Sequence, residues 1–347
     1  MRADYPVRID VLQPLLQTWL PLVQGVPRLS PLAVDASTRR YVRVQWPTPV
    51  AGCPASCVLM CRAPWDASAT PDFLSVARHL RACGVRVPQV YGVSAAHGWM
   101  ALEDFGDRSL AALWQQATGA DRLLWGKRAI DELVKMHTLG TQHHDPLCPA
   151  FHLAFDVPKL LSELQFFCQH AIEGFWQQPL TEADRAAWDD AFRPLCQLLA
   201  SQPRYFCHRD YHGWNIMAQD DTVGILDFQD ARLGPQPYDL ASLLVDRGIP
   251  EILGPQVMQA LIDYYLQRLA AETGCRTNRA VFQELYDYVT VQRCLKAIGT
   301  FTYMTVVHQR AQYVPYIAPT LAYVQPLVQR YGALQPLAEL LRTWVPS

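Results

Sequence analysis

The spacing of apolar residues along the chain changes near residue 105. From Ser109 onward, apolar residues recur at intervals of three and four, a pattern typical of helices that bury one face. It predicts long helices over residues 122–139, 157–172, 181–200, 254–271 and 278–300. We therefore expect the C-terminal part of the chain to be mainly helical.

The N-terminal part instead carries short apolar segments bounded by turn-forming residues, which favours strands. These segments are 29–44, as strand, turn and strand, then 56–61, 88–94 and 99–104. One helix is predicted to begin near Asp10 and another to cover 70–83, with Pro71 in its first turn. The fold class is therefore α+β, with a small β-rich lobe over residues 1–104 and a large, mainly helical lobe over residues 105–347.

Composition indicates a globular protein that acts on a small molecule. The chain has 347 residues, half of them hydrophobic, a formal net charge of −2 and a pI near 6.5. This balance gives no sign of a nucleic-acid or anionic-membrane partner. No apolar stretch is long enough to cross a bilayer, so we expect a soluble, cytoplasmic protein, whose oligomeric state the sequence leaves open.

The ten cysteines are scattered, and most lie in apolar surroundings typical of buried, reduced thiols. Cys53, Cys57 and Cys61 form a cluster whose spacing does not fit a Cys-x₂-Cys zinc site. On a strand, Cys57 and Cys61 would point to one face. We therefore expect a structural role for these thiols.

Three short apolar segments interrupt the helical part, at residues 205–207, 216–217 and 223–226. Asp210 lies soon after the first, Asn215 directly before the second and Asp227 directly after the third. If these segments are strands, the three polar side chains meet at one edge. Two carboxylates and an amide oxygen are hard ligands, which suit Mg²⁺ shared with nucleotide phosphates.

The order and spacing of these residues match the catalytic loop of protein kinases. His208-Arg209-Asp210 is followed by Asn215, and then by Asp227-Phe228. Phosphoryl transfer needs a carboxylate that orients the attacking hydroxyl and accepts its proton, and a metal that neutralises charge. We therefore predict Asp210 as the catalytic base, Asn215 and Asp227 as Mg²⁺ ligands, and ATP as the phosphoryl donor.

The turn at residues 35–40 is predicted to cover the nucleotide phosphates. Its backbone N–H groups and the hydroxyl of Ser37 or Thr38 would donate hydrogen bonds, and Arg39 or Arg40 would add positive charge. A glycine-rich signature is missing, so an ordinary hairpin turn is the alternative when this segment is considered alone.

The third predicted strand departs from the protein-kinase pattern. It contains no Lys, and the helix at 70–83 contains no Glu, so both members of the usual ion pair are absent together. Arg62, at the end of that strand, is predicted to take over the phosphate contact.

The segment 102–110 ends an apolar strand in a polar linker and opens a helix capped near Asp107 or Ser109. We place the hinge between the lobes here. Backbone groups of Glu103 and Phe105 are predicted to face the adenine.

Several other polar residues receive mainly structural interpretations. His137, His143 and His144 are predicted to be surface or capping residues, and Asp239 to brace the catalytic loop from the first turn of a helix. Residues 292–296 form a basic spot on a late helix. It would either face the substrate, with Arg293 as a contact, or be an ordinary solvated helix face.

Taken together, these motifs resemble the aminoglycoside phosphotransferase family, which has the kinase-like fold. The resemblance covers almost the whole chain and is strongest to a subgroup of bacterial kinases that phosphorylate N-acetylated amino sugars at C1. The segments that carry it are 35–41, 102–106, 208–215, 226–231, 234–235, 238–240 and 292–296.

The resemblance implies a two-lobed, ATP- and Mg²⁺-dependent kinase acting on a small sugar, N-acetylmuramate or N-acetylglucosamine. It assigns Asp210 as the base, Asn215 and Asp227 as metal ligands and the 35–40 turn as the phosphate cover. Asp230 lies where contact with the sugar or the metal is expected.

Two alternatives compete with this hypothesis. Phosphorylation of aminoglycosides or other small alcohols is the first, although the late helices offer bases such as Lys296 and Arg310 rather than the acidic pocket that a polycation needs. A nucleotide-binding pseudokinase is the second, suggested by the missing Lys–Glu pair. Intact Asp210, Asn215 and Asp227 favour an active enzyme.

Overall fold

A five-stranded antiparallel sheet forms the N-terminal part of the computed structural model, which describes residues 7–32, 39–48 and 50–345. The strands are β1 (Arg28–Leu32), β2 (Arg40–Gln45), β3 (Ser56–Cys61), β4 (Val90–Ser94) and β5 (Trp99–Glu103), in the order β1-β2-β3-β5-β4. Helix α1 (Ile9–Trp19) precedes the sheet and α2 (Asp72–Ala82) joins β3 to β4. The predicted strand–turn–strand at 29–44 is confirmed at both strands, while its turn at 33–38 lies outside the described residues.

The two faces of this sheet belong to different hydrophobic cores. Cys57, Leu59 and Cys61 of β3 pack with Leu12 and Leu16 of α1. The intervening residue Met60 packs instead into the large core shared with the helical part. Alternation of side chains along a strand explains the division. It also confirms that Cys57 and Cys61 share one face.

The remaining chain is mainly helical, as predicted. Its helices are α3 (Leu110–Gln116), α4 (Gly119–His137), α5 (Leu139–Gln142), α6 (Val157–Phe167), α7 (Glu182–Ala200), α8 (Tyr238–Leu244), α9 (Ile249–Thr273), α10 (Arg279–Val306), α11 (Ile317–Arg330) and α12 (Gln335–Trp344). A π-helical segment, Cys168–Phe175, continues α6, and short 3-10 turns cover Pro149–His152, Ala311–Tyr316 and Gly332–Leu334. In the part of the chain that the structure describes, none of the helices could span a bilayer.

Local signals explain where the long helices begin. Thr118 caps α4 by accepting from the Asp121 N–H, and Thr181 forms a capping box with Asp184 at the start of α7. Helix α9 begins before its predicted start at Gly254. That glycine has φ +72° and marks a kink within the helix, so the predicted start coincides with the kink.

Two small antiparallel ribbons carry the polar motifs. Strand β6 (Arg204–Cys207) pairs with β9 (Arg232–Pro235), and β7 (Ile216–Gln219) pairs with β8 (Thr222–Ile225). The catalytic-loop motif connects β6 to β7, and the segment that contains Asp227 connects β8 to β9. The two motifs therefore lie side by side.

Candidate active site

The loop between β6 and β7 is held from behind by Asp239, which lies in the first turn of α8. The fully buried Asp239 carboxylate accepts the backbone N–H of His208 through Oδ2 at 2.6 Å and that of Arg209 through Oδ1 at 3.0 Å. His208 Nε2 donates to the Leu226 carbonyl oxygen at 2.8 Å, which ties the loop to the segment before Asp227. The predicted bracing role of Asp239 is confirmed.

Asp210 follows Arg209 in this loop, and its side chain is 29% exposed. Its Oδ1 accepts a hydrogen bond from Lys296 Nζ at 3.0 Å, and its Oδ2 lies 4.0 Å from Arg209 Nε. Burial would raise the pKa of Asp210, but the charges of Lys296, Arg209 and Arg293 outweigh it and hold that pKa well below its usual range. The carboxylate is therefore ionised at neutral pH.

Asn215 and Asp227 lie next to Asp210. The Asn215 side-chain nitrogen donates to the Asp210 carbonyl oxygen at 3.0 Å, so the amide oxygen is the atom left to act as a ligand. The Asn215 backbone carbonyl accepts the Leu226 N–H at 2.9 Å, which brings Asp227 alongside. Asp227 has φ +62°, a conformation that non-glycine residues adopt mainly where the surroundings require it.

This donor set fits a hard divalent cation. Asn215 offers an amide oxygen and Asp227 a half-exposed carboxylate, and both are the oxygen donors that such a cation prefers. Two protein ligands leave positions for water and for phosphate oxygens, the arrangement usual for Mg²⁺ in nucleotide sites. The residues present therefore fit the metal that the sequence predicts.

Arg39 reaches the metal-ligand side from the sheet. Its Nη1 lies 3.9 Å from Asp227 Oδ1. Arg40 pairs with Cys61, so the start of β2 and the end of β3, followed by Arg62, lie at the same end of the sheet. The Arg62 guanidinium stacks over the Trp65 ring at 5.3 Å. Ser37 and Thr38 lie outside the described residues.

Glu103 and Phe105 lie at the opposite end of the sheet, where Glu103 pairs with Cys57. The Glu103 N–H donates to the Gln89 carbonyl oxygen at 2.8 Å. The buried Phe105 ring packs directly on Gly224 of β8, where a Cβ atom would overlap the ring. The linker thus contacts the same ribbon that leads to Asp227.

Arg43 fixes this linker and was missed by the sequence analysis. Its guanidinium donates to both oxygens of Asp104, at 2.7 and 3.0 Å, and to Asp107, and Ser56 Oγ also donates to Asp104 at 2.7 Å. Bidentate Arg–carboxylate pairs give well-defined geometry. The sequence signal was the pair of acidic residues Asp104 and Asp107 near Gly106. Their partner Arg43 lies 61 and 64 residues away in the chain, so the pairing could not be read from it.

The basic spot at 292–296 is not a solvated helix face, so that interpretation is wrong. Gln292, Arg293, Cys294 and Leu295 are buried, and Lys296 contacts Asp210. Arg293 Nη1 donates to the Arg209 carbonyl oxygen at 2.8 Å, and its guanidinium lies 5.0 Å from the Tyr238 ring centroid. Arg293 therefore lies behind the catalytic loop.

A buried carboxylate, Glu163 of α6, balances the positive charge around Asp210. It lies 3.1 Å from Lys159 Nζ and 3.7 Å from Arg209 Nη2, and it accepts from Gln292 Nε2 at 3.0 Å. Burial would raise the pKa of Glu163, and the charges of Lys296, Lys159 and Arg209 bring it below its usual range. Arg209 also lies 3.8 Å from Asp230, which is more than half exposed.

The three histidines divide into two groups. His143 and His144 are exposed, as predicted. His137 is buried, and its Nδ1 lies 2.7 Å from the Tyr265 hydroxyl and its Nε2 3.6 Å from Asp239. Its prediction as a surface or capping residue is therefore wrong. His137, Cys207 and Asp239 have metal-like spacing. Both Asp239 oxygens already accept backbone N–H groups, so this cluster is a brace.

This architecture, a small sheet stacked against a helical part with a braced Asp210–Asn215–Asp227 site between them, defines a kinase-like phosphotransferase. The match to the phosphotransferase enzyme family covers residues 28–277, and the chain belongs to this family. The predicted family resemblance and fold class are confirmed.

Relatives of the chain include kinases of N-acetylated amino sugars. The chain is 31% identical over 315 residues to the N-acetylmuramate/N-acetylglucosamine kinase of Neisseria meningitidis, covering 89% of this chain and 88% of the relative. It is 31% identical over 319 residues to the Pseudomonas aeruginosa enzyme of the same name, covering 90% and 87%. The ADP-bound structure of aminoglycoside phosphotransferase APH(2'')-Ib superposes with a TM-score of 0.58 at 15% identity, covering 96% and 99%, which shows the shared fold.

Proposed function

We propose that this protein is an ATP-dependent kinase that phosphorylates the anomeric hydroxyl of N-acetylmuramate, N-acetylglucosamine or both, in the cytoplasmic salvage of cell-wall sugars. Family membership and the relatives named above support an amino sugar kinase. The observation that carries the proposal for this chain is the ionised Asp210 carboxylate beside Asn215 and Asp227.

An anomeric acceptor suits a carboxylate as the base. A carboxylate is a weak base, so it favours an acceptor hydroxyl that gives up its proton readily. An anomeric hydroxyl is more acidic than an ordinary alcohol, because the neighbouring ring oxygen withdraws electron density. In the proposed reaction Asp210 orients this hydroxyl and accepts its proton as the bond to the γ-phosphorus forms and the bond to ADP breaks.

Asn215 and Asp227 are proposed to hold Mg²⁺ against the nucleotide phosphates. Bound Mg²⁺ would neutralise the charge of the transferring phosphoryl group. Asp239, through the two backbone N–H groups that it accepts, keeps the loop in a fixed position relative to Asp227.

ATP is proposed to lie along the cleft with its adenine near Glu103 and Phe105, at the boundary that we place between residues 104 and 105. Its phosphates would then reach the opposite end of the sheet, where Arg39 lies close to Asp227. Ser37 and Thr38 are proposed to donate to these phosphates. The third strand lacks the lysine that contacts the phosphates in protein kinases. We propose that Arg39, directly before β2, supplies this positive charge instead.

For the acceptor, Asp230 is proposed to contact the sugar or the metal, since it is exposed beside Arg209. Arg293 was predicted to contact the substrate. Because it is buried and binds the Arg209 carbonyl oxygen, we propose that it acts on the substrate through the loop.

Loss of reducing sugar is the sharpest test of anomeric phosphorylation. The purified protein, mixed with ATP and Mg²⁺, should release ADP with N-acetylmuramate or N-acetylglucosamine, and the reducing end should disappear in equal amount. The methyl glycoside of N-acetylglucosamine, whose anomeric oxygen is blocked, should give no ADP. Phosphorylation that leaves the reducing end intact would exclude the anomeric position, and no turnover with either sugar would exclude the proposed substrates.

Arg39 and Arg62 are candidates for the same phosphate contact and can be compared directly. Because Arg39 lies beside Asp227, Arg39→Met should raise the KM for ATP or lower kcat by about tenfold or more, the size expected when a phosphate contact is lost. Arg62→Met is the matched variant. Unchanged constants for either variant would remove that residue from the proposed ATP site.

Charge around the acceptor side argues against an aminoglycoside substrate. Five cations gather about Glu163 and Asp210, namely Lys159, Arg209, Arg232, Arg293 and Lys296. A polycationic antibiotic would be repelled there. Expression of the protein should therefore give cells no protection from kanamycin, and protection would reverse this preference.

A further inference from the structure

One turn of α10 contacts the catalytic machinery through three side chains. Gln292, Arg293 and Lys296 lie on one face of the helix, since residues three and four apart are neighbours on its surface. Gln292 donates to Glu163, Arg293 donates to the Arg209 carbonyl oxygen, and Lys296 donates to Asp210 Oδ1. Of these three contacts, that of Lys296 is made to the reacting carboxylate itself.

The Lys296 ammonium group is held in a fixed place. Its side chain is only 17% exposed, and its Nζ lies 3.0 Å from Asp210 Oδ1. Its charge also acts on the buried carboxylate of Glu163. A partly buried ammonium is stable when opposite charges surround it. Glu163 therefore places a second negative charge near the Lys296 ammonium group.

The contact uses one oxygen of Asp210 and leaves the other for substrate. Oδ2 lies 4.0 Å from Arg209 Nε, which is beyond hydrogen-bonding distance. The carboxylate group of Asp210 can rotate about its Cβ–Cγ bond. A hydrogen bond to Oδ1 restricts this rotation and therefore fixes the direction of Oδ2. The acceptor hydroxyl would then meet an oxygen whose position is already set.

The helix that carries Lys296 is itself fixed at a close distance. A Cβ atom on Gly299 would lie 2.9 Å from the Phe167 Cα, so the glycine is needed for α10 to approach α6. Near the start of α10, the buried Asp287 carboxylate accepts from Arg330 and Tyr331, which ties the helix to the α11 end. These contacts hold α10, and with it Lys296, in a fixed position relative to the neighbouring helices.

We propose that Lys296 is a positioning residue for phosphoryl transfer, which fixes Asp210 Oδ1 so that Oδ2 is aimed at the acceptor hydroxyl. The proposal rests on the proposed function of Asp210 as the base. During transfer the acceptor proton passes to Asp210, the new O–P bond forms and ADP leaves, while Lys296 keeps its own proton throughout.

Replacing Lys296 separates this role from substrate binding. Lys296→Met keeps an unbranched side chain of similar size and removes the charge, so kcat should fall by about 10- to 100-fold, as expected for a misoriented base. The KM values for ATP and for the acceptor should change by less than about twofold. Lys296→Arg, which can still donate to Asp210, should recover a large part of kcat.

Lys135→Met is the matched control. Lys135 pairs with Glu132 on α4 and does not belong to this network. It should leave kcat unchanged. Thermal unfolding of every variant shows whether it is folded. An unchanged kcat in Lys296→Met, or a raised acceptor KM with kcat intact, would overturn the proposal.

A double-mutant cycle with Asp210→Asn completes the test. If Lys296 acts through Asp210, adding Lys296→Met to Asp210→Asn should lower the residual single-turnover rate by less than about twofold. Losses that multiply would mean that Lys296 acts elsewhere and would overturn the proposal. The rates are measured with whichever acceptor the unmodified enzyme phosphorylates, so failure of the proposed sugars and failure of the Lys296 role give different results.

Discussion

Removing the charge of Asp239 should weaken both the fold and the catalytic loop. In Asp239→Asn one side-chain oxygen can still accept a backbone N–H, from either His208 or Arg209, but the amide nitrogen must then face the other N–H. That buried donor loses its acceptor, which costs about 1–3 kcal/mol, and the remaining bond loses its charge assistance, so the total should be about 2–4 kcal/mol. This is a large share of the ~5–15 kcal/mol that typically stabilises a domain.

Urea unfolding followed by tryptophan fluorescence measures this change as a lower midpoint at constant m value. The same variant should lose about 100-fold in kcat, because a shift of about 1 Å in the loop misplaces Asp210. Asp190→Asn is the control, since Asp190 is exposed on α7. If the two variants unfold at the same urea concentration, Asp239 does not brace the loop in the way that its hydrogen bonds indicate.

Three further predictions concern other parts of the site and the core. Gly224→Ala should raise the KM for ATP and cost about 1–3 kcal/mol of stability, because the added methyl group overlaps the Phe105 ring. A variant with the wild-type KM and the wild-type urea midpoint would contradict this prediction. Burial would raise the pKa of Asp104, but hydrogen bonds and the nearby guanidinium lower it, so its stabilising contribution is present above pH ~4 and lost below it. The difference in unfolding free energy between the wild type and Asp104→Asn should therefore shrink from pH 6 to pH 3, and a constant difference would refute it. Iodoacetamide at pH 8 should modify the exposed Cys275 quickly in the folded protein and Cys57 only after unfolding, since burial raises the pKa of Cys57 to about 12. Mass spectrometry of the two peptides measures the modification, and equal modification of both in the folded protein would contradict the prediction.

The sequence is most informative where a local pattern dictates the structure. Alternation along β3 predicted which cysteines share a face. The order of the catalytic-loop residues predicted that Asn215 would lie beside Asp210. Each of these inferences depends on residues close together in the chain, so no tertiary information was needed.

Non-local contacts could not be predicted in the same way. Lys296 is 86 residues from Asp210, and a lysine on a late helix is usually solvated. His137 is 128 residues from its partner Tyr265, and Arg43 is 61 residues from Asp104. Burial of a polar side chain depends on a partner supplied by the fold, and composition gives no indication of that partner.

The absent strand lysine acquires a physical interpretation from these contacts. A kinase needs positive charge near the transferring group, but nothing requires that charge to come from the third strand. Here one cation, Arg39, approaches Asp227 from the start of β2, and another, Lys296, approaches Asp210 from α10. If both act as proposed, the charge is supplied from opposite sides of the cleft, one on the nucleotide and one on the base. Loss of Arg39 should then change the constants for ATP, whereas loss of Lys296 should change kcat with any acceptor.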